Sequence, residues 1–133
     1  MAAIQTPPLL FVYGTLRRGS DHANAARLAH ESQWLGHASL TGTLYRVSWH
    51  PALVLAGSDT VTGDLVQLTD PDASLAWLDS FEGCGPDDPP PHEYRRESAQ
   101  VMTPNGPTFA MVYVWNLPLI GLERIATGDW LAA

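Results

Sequence analysis

The chain has 133 residues, of which 45 % are hydrophobic and 16 % charged. That is enough apolar surface for one folded domain and argues against a disordered chain. Fourteen acidic residues against seven basic ones leave a net charge of -7, which disfavours nucleic acid and anionic bilayers as partners, since both need a basic surface. No apolar run reaches the ~18 residues of a membrane span, and no secretory leader is expected. All seven basic residues are arginines, so no lysine is available for a Schiff base or a phosphate loop. The single cysteine, Cys84, cannot close an intrachain disulfide or build a thiolate zinc cluster, and a reducing, cytoplasmic compartment is expected.

In chain order, Leu9 to Tyr13 is a short apolar run stopped by Gly14. Leu9, Phe11 and Tyr13 fall on one face and Leu10 and Val12 on the other, the pattern of a strand buried on both sides. A loop from Thr15 to Gly19 carries Arg17 and Arg18. Ser20 or Asp21 then caps a helix to about Glu31, with Ala26, Leu28 and Ala29 available to pack. Trp34 to Leu68 alternates Thr, Val, Leu and Tyr with Gly and Pro, predicting several short strands and turns. Asp70-Pro71 starts a helix that should run to Glu82 and stop at Gly83. Cys84 to His92 (CGPDDPPPH) holds four prolines and reads as an exposed loop. Tyr94–Met102 and Thr108–Trp115 flank Pro104-Asn105-Gly106-Pro107 as a hairpin. A last helical turn is expected from Leu122 to Ala126. The elements predict an α+β domain of mixed strands and short helices spanning 1–133, with a long antiparallel component.

Eight of the 14 acidic residues lie between Asp70 and Glu97, mostly as a solvated surface. Glu82 stands apart. At 3.6 residues per turn it continues the stripe of Leu75 and Leu78, beside Trp77 and Phe81. A carboxyl in a core-facing sector is costly in its ionised form, which raises its pKa towards the range useful for proton transfer at neutral pH. The alternative is that the helix frays after Ser80 and turns Glu82 to water. Asp79, at the margin of the stripe, either adds like-charge repulsion or pairs with an arginine.

Tyr13-Gly14-Thr15-Leu16-Arg17-Arg18-Gly19 is a strand opening into a glycine-bounded loop. Successive backbone N–H groups in such a loop can cradle a carboxylate or an oxyanion, and Gly14 permits close approach. An ordinary strand-to-helix turn has the same spacing. Cys84 would need a base to act as nucleophile, with His92 nearest in sequence, and a proline-rich loop frames such a dyad poorly. His22, His30, His37 and His50 read as surface or capping residues, and Arg17 as solvated. No histidine pair has the spacing of a helical metal motif, so no metal site is expected.

Together these segments resemble the gamma-glutamyl cyclotransferase-like family. The resemblance rests on Phe11-Val12-Tyr13-Gly14-Thr15-Leu16-Arg17-Arg18-Gly19, His50-Pro51-Ala52-Leu53 and Val61-Thr62-Gly63-Asp64-Leu65. It continues through Leu78-Asp79-Ser80-Phe81-Glu82-Gly83, Tyr94-Arg95-Arg96 and Ile125-Ala126-Thr127-Gly128-Asp129-Trp130. The departures are Asp64 where Glu is common, Ala52 where Gly is common, and the CGPDDPPPH insert. The resemblance implies a small mixed β-barrel flanked by short helices, with a pocket at one mouth and no cofactor. It also implies a small gamma-glutamyl substrate, while the chain's size and five tryptophans suit either a monomer or a homodimer paired through an exposed aromatic patch.

The implied reaction is internal aminolysis: the α-amine of a gamma-glutamyl group attacks its own side-chain carbonyl, closing 5-oxoproline and releasing an amine or amino acid. By the same carry-over, Glu82 is the catalytic acid and base, and Tyr13, Gly14, Thr15, Leu16, Tyr94 and Tyr113 bind substrate. Tyr113 shares a strand face with Phe109, Met111 and Trp115 and suits a core as well as a pocket. Arg95 and Arg96 alternate across their strand, and surface pairing is the default for both. Asp129 and Trp130 are expected to fix the chain end. Two other readings use the same pocket: a non-catalytic module for small carboxylates, and a hydrolase or other amide-processing enzyme.

Overall fold

The apolar run at Leu9 to Tyr13 forms β1 (Leu9–Val12), and its two faces meet two different cores. Phe11 and Tyr13 point into one, Leu10 and Val12 into the other. The computed structural model describes residues 8–132. After β1 come α1 (Ala23–Glu31), β2 (Ser32–Arg46), β3 (Pro51–Leu68), α2 (Pro71–Phe81), β4 (Tyr94–Thr103), β5 (Gly106–Trp115) and β6 (Glu123–Arg124). A 3-10 turn follows at Trp130–Ala132.

The strands lie in the order β3-β1-β5-β4-β2-β6, and β2 pairs back onto β3, so five of them form a ring. β1 runs parallel to β5 through Leu10 and Met111, and antiparallel to β3 with Phe11 opposite Leu65 and Val12 opposite Asp64. The inner core takes side chains from every strand of the ring, among them Phe11, Leu40, Leu53, Val101 and Val112. The outer core lies where both helices cover the ring: Leu28 of α1 and Leu78 of α2 pack with Leu10, Val12, Tyr94 and Tyr113. This is the small barrel-like α+β arrangement expected, with helices on its flank.

Three local expectations change. Between Trp34 and Leu68 the chain forms two long strands, of 15 and 18 residues, rather than several short ones. Register shifts at Trp34/Gly36 and Gly42/Thr43 bend the hairpin without ending it, so glycines that resemble turns in the sequence are bulge positions. The first helix is capped by His22, whose Nδ1 accepts from the Asn24 N–H at 3.0 Å, not by Ser20 or Asp21. Its inward arc is Ala25 and Leu28, one turn apart, while Ala26 and Ala29 stay outside. Finally, Leu122 to Ala126 is not helical. Glu123 and Arg124 add to the β2 edge opposite Arg46 and Tyr45, and Ile125 donates its N–H to the Leu44 carbonyl. Backbone pairing with a strand edge outweighs the local tendency to coil.

The chain end is held by Gly128. Its φ of 66° suits glycine, and an added Cβ would lie 1.9 Å from the Thr60 carbonyl oxygen. That approach lets the Gly128 carbonyl accept from the Thr62 N–H at 2.9 Å. At the other face, Glu31 at the end of α1 accepts from Ser74 Oγ at 2.6 Å and Trp77 Nε1 at 2.9 Å. These bonds tie α1 to α2 and, with Arg27, hold the Glu31 pKa down to about 2.

Candidate active site

The first half of the site comes from α2. Asp70 caps the helix by accepting from the Ala73 N–H, with Pro71 at the first helical position, as its sequence predicts. Leu78 is fully buried and fixes the rotation of the helix on the ring. The helix ends at Phe81. Glu82 is the C-cap, donating its N–H to the Leu78 carbonyl at 2.9 Å, and Gly83 follows with a φ of 72°. The last turn therefore does not fray to solvent, and Glu82 stays on the inner side.

The second half comes from the exit of β1. Arg17 N–H donates to the Gly14 carbonyl at 3.1 Å, closing a tight turn over Gly14 to Arg17. An added Cβ on Gly14 would lie 2.7 Å from Pro51 Cγ, so this position has no room for a side chain. The turn is anchored from behind. Fully buried Asp64 accepts from the Arg18 N–H at 2.8 Å and lies 3.0 Å from His37 Nδ1 and 3.8 Å from Arg17 Nη2. Arg17 Nη1 reaches Asp129 at 2.7 Å. Arg17, expected in water, is thus buried between two carboxylates, because the turn folds it back under the chain end. Asp129 does fix that end, and Arg46 stacks on Trp130 at 4.9 Å.

Between the two halves lies a cleft walled by Tyr13, Gly14, Thr15, Leu16, Glu82, Tyr94 and Tyr113, together with His50 and Pro51. All seven residues singled out in the sequence meet here. Their side chains are not equally free. Tyr13 points into the inner core and spends its hydroxyl on the Tyr113 carbonyl, leaving mainly its backbone to the cleft. Tyr113 donates to Asp79 Oδ1 at 2.6 Å, and Tyr94 donates to the Pro51 carbonyl. Burial pushes both phenols up, so each is a neutral donor. The cleft holds about 30 Å³, room for roughly two waters. A second cavity of about 50 Å³ shares Thr15, His50, Glu82 and Tyr94 with it and is bounded by Trp49, Phe81 and Glu93.

Glu82 is the group of the cleft whose pKa is moved towards neutrality. Burial, and then the neighbouring Glu93 carboxylate, push its pKa up to about 8. The like-charge neighbour is Glu93, not Asp79. Asp79 instead pairs with Arg96 at 3.2 Å and accepts from Tyr113. Arg95 meets Glu97 and Asn116, so both arginines of this strand are engaged on the surface side.

Two residues of the site escape sequence reasoning. His50, expected at the surface, is half-buried, and its Nδ1 lies 2.8 Å from Tyr94 Oη. Since the Tyr94 proton goes to Pro51, the His50 nitrogen is the donor in that pair. Burial holds its pKa down, keeping the ring neutral. Its one sequence signal is its place beside Pro51. Glu93 gives no signal, because alternation from Tyr94 places it on the opposite face. Cys84 stays outside the cleft, its thiol pushed up to about 11 by burial and by Asp79, and His92 is engaged with the Asp88 carbonyl. Among the described residues, no group of three or more His, Cys, Asp or Glu side chains could hold a metal ion. No described helix is long and apolar enough to cross a membrane.

A strand exit faces a helix-end carboxyl across a cleft on a small ring of strands, and comparison with known proteins gives this arrangement a family. The profile described as "Gamma-glutamyl cyclotransferase, AIG2-like" matches residues 10–132, and the chain belongs to that family. The gamma-glutamylcyclotransferase family protein YtfP of Escherichia coli is 33 % identical over 129 residues, covering 92 % of this chain and 95 % of its own. A putative gamma-glutamylcyclotransferase of Vibrio cholerae is 38 % identical over 124 residues, covering 92 % and 94 %. The solution NMR structure of ytfP from Escherichia coli superposes with a TM-score of 0.68 at 34 % identity, covering 92 % and 96 % of the two chains.

Proposed function

We propose that this protein is a gamma-glutamyl cyclotransferase that converts a gamma-glutamyl amine or amino acid to 5-oxoproline and a free amine, with Glu82 moving the protons. The observation that carries this reading is a carboxyl with a pKa near neutrality set across a small cleft from the Tyr13–Leu16 turn. A group with a pKa of about 8 populates both protonation states near pH 7, as a residue that takes and returns a proton requires.

In the proposed reaction, ionised Glu82 removes a proton from the substrate α-ammonium. The freed nitrogen attacks the side-chain carbonyl carbon, forming the ring C–N bond. Collapse of the tetrahedral intermediate breaks the original amide C–N bond as protonated Glu82 returns its proton to the leaving nitrogen, and the second proton of the attacking nitrogen then passes through ionised Glu82 to the released amine, which departs as an ammonium. The nucleophile is tethered to its target, so the protein need only fold the substrate and move two protons in turn. No cofactor enters the balance. The turn from Gly14 to Leu16 supplies backbone donors for the α-carboxylate or the oxyanion, and Tyr94 and Tyr113 border the glutamyl head. The cleft has room for about two waters, so a gamma-glutamyl head requires it to open, and it adjoins the cavity bounded by Trp49, Phe81 and Glu93.

The deciding experiment is a mass-spectrometric screen of gamma-glutamyl amines, amino acids and peptides for 5-oxoproline, run with wild type and Glu82→Gln. Wild type is expected to form 5-oxoproline and folded Glu82→Gln to lose it. Free glutamate as the product would point to hydrolysis instead. Saturable binding with no turnover across the panel would point to a carboxylate-binding module.

A further inference from the structure

A further cavity, separate from the two beside Glu82, lies on the far side of the turn that forms the cleft. It holds about 300 Å³ and opens between α1 and the ring. Val12, Leu16, Leu28 and Val66 make its floor, the small Ala25 leaves space under the helix, and exposed Ala29 lines the mouth. An enclosed apolar space of half that size accommodates a benzene ring, so this one suits a chain or ring system of roughly eight carbons.

The charges around it are unequal. Arg18 stands at its rim with its guanidinium 4.5 Å above the Trp34 ring, and it makes no ion pair among the described residues. The stacking holds the cation in place without neutralising it. The one carboxylate in the wall, Asp64, is fully buried and already accepts from the Arg18 N–H, with His37 Nδ1 and Arg17 on its other oxygen. It therefore offers no free oxygen to a ligand ammonium, whereas Arg18 offers unpaired donors to an anion.

We propose that this recess is a binding site for a small amphipathic carboxylate, an aliphatic or aromatic monocarboxylic acid. Its apolar body fills the space over Val12, Leu28 and Val66, and its carboxylate pairs with Arg18. The site is independent of the reaction proposed above. It adjoins that cleft through Val12 and Leu16, which border both cavities, so an occupant touches the back of the turn.

The test is a ¹H–¹⁵N NMR titration of the full chain with octanoate, octanol and octylamine, using wild type, Arg18→Ala and Ala29→Phe. Octanoate is expected to give saturable shifts at Leu16, Arg18, Leu28 and Trp34, and to bind about tenfold more tightly than the alcohol or the amine. Arg18→Ala should remove that preference and leave octanoate no tighter than octanol. Ala29→Phe, which fills the mouth, should weaken all three. The proposal is overturned by absence of saturable shifts with octanoate, by equal affinity for octanoate and octylamine, or by octanoate binding unchanged in Arg18→Ala. Arg18 is exposed and its side chain bridges no core residues, so that variant stands as the test even if Ala29→Phe does not fold.

Discussion

Two carboxylates flank the turn that leaves β1, and they live under opposite conditions. Asp64, behind the turn, is fully buried yet surrounded by donors: the Arg18 N–H, His37 and the Arg17 guanidinium. Glu82, in front of it, is shielded from water with another carboxylate as its neighbour, and its pKa rises to about 8. Burial alone does not decide what an acid does in a fold; its partners do. Donors make Asp64 a structural anchor, while their scarcity leaves Glu82 ready to exchange a proton near neutrality.

The sharpest way to break this contrast is to exchange the chemistry of one acid while keeping its shape. Glu82→Gln is expected to lower 5-oxoproline formation by about 10³-fold or more, with an unchanged circular dichroism spectrum. A folded variant with wild-type turnover would remove Glu82 from the reaction. Asp64→Ala should act on the other property, lowering stability by about 3 kcal/mol in urea unfolding, because it leaves Arg17 buried with one partner fewer. If Asp64→Ala unfolds at the wild-type urea midpoint, the anchoring role is wrong.

A smaller effect separates the two acids by pH. Because the Glu82 pKa is raised in the folded state, folding takes up a proton between the unfolded value, near 4.5, and about 8. Its contribution is therefore most favourable below pH 4.5 and is lost as pH rises through that window. Glu82→Gln should gain on wild type across it, reaching on the order of 2–3 kcal/mol near pH 8, measured by urea unfolding at several pH values. Parallel pH profiles for the two proteins would contradict the raised pKa. The smallest expected change comes from Glu93→Gln. Removing the like charge should move the alkaline rise of kcat/KM down by less than about one pH unit, leaving its plateau near wild type. A profile that stays put, or moves up, would assign the shift to burial alone.

What the sequence discloses follows the same division between local and distant causes. The α2 helix is readable because Asp70-Pro71 and Gly83 mark its ends and Leu75 and Leu78 set its inner face. The two-sided burial of β1 is readable from an unbroken apolar run, and the β4–β5 hairpin from its Pro-Asn-Gly-Pro turn. The cleft is readable from Glu82 and the Tyr13–Leu16 turn, both local signals, and the ordered motifs of the family place Tyr94 and Tyr113 beside them. The residues missed are those whose environment comes from elsewhere in the chain. Arg17 is buried because Asp64 and Asp129 converge on it from 47 and 112 positions away. His50 is drawn inward by Tyr94, 44 positions on. The Glu123–Arg124 strand exists only because β2 offers a free edge. No window along the sequence contains these causes.

The bond from the Tyr13 hydroxyl to the Tyr113 carbonyl spans 100 positions, and the only parallel pairing among the described residues joins β1, which Tyr13 directly follows, to β5. One wall of the cleft thus comes from the exit of β1 and another from β5, 100 positions further on. β5 must have been synthesised before the pocket can close, and chains truncated before it carry the carboxyl without the chamber around it. Such long-distance closure is slow relative to local hairpins, so any activity should emerge as a late event of maturation, after the bulk of the secondary structure is in place.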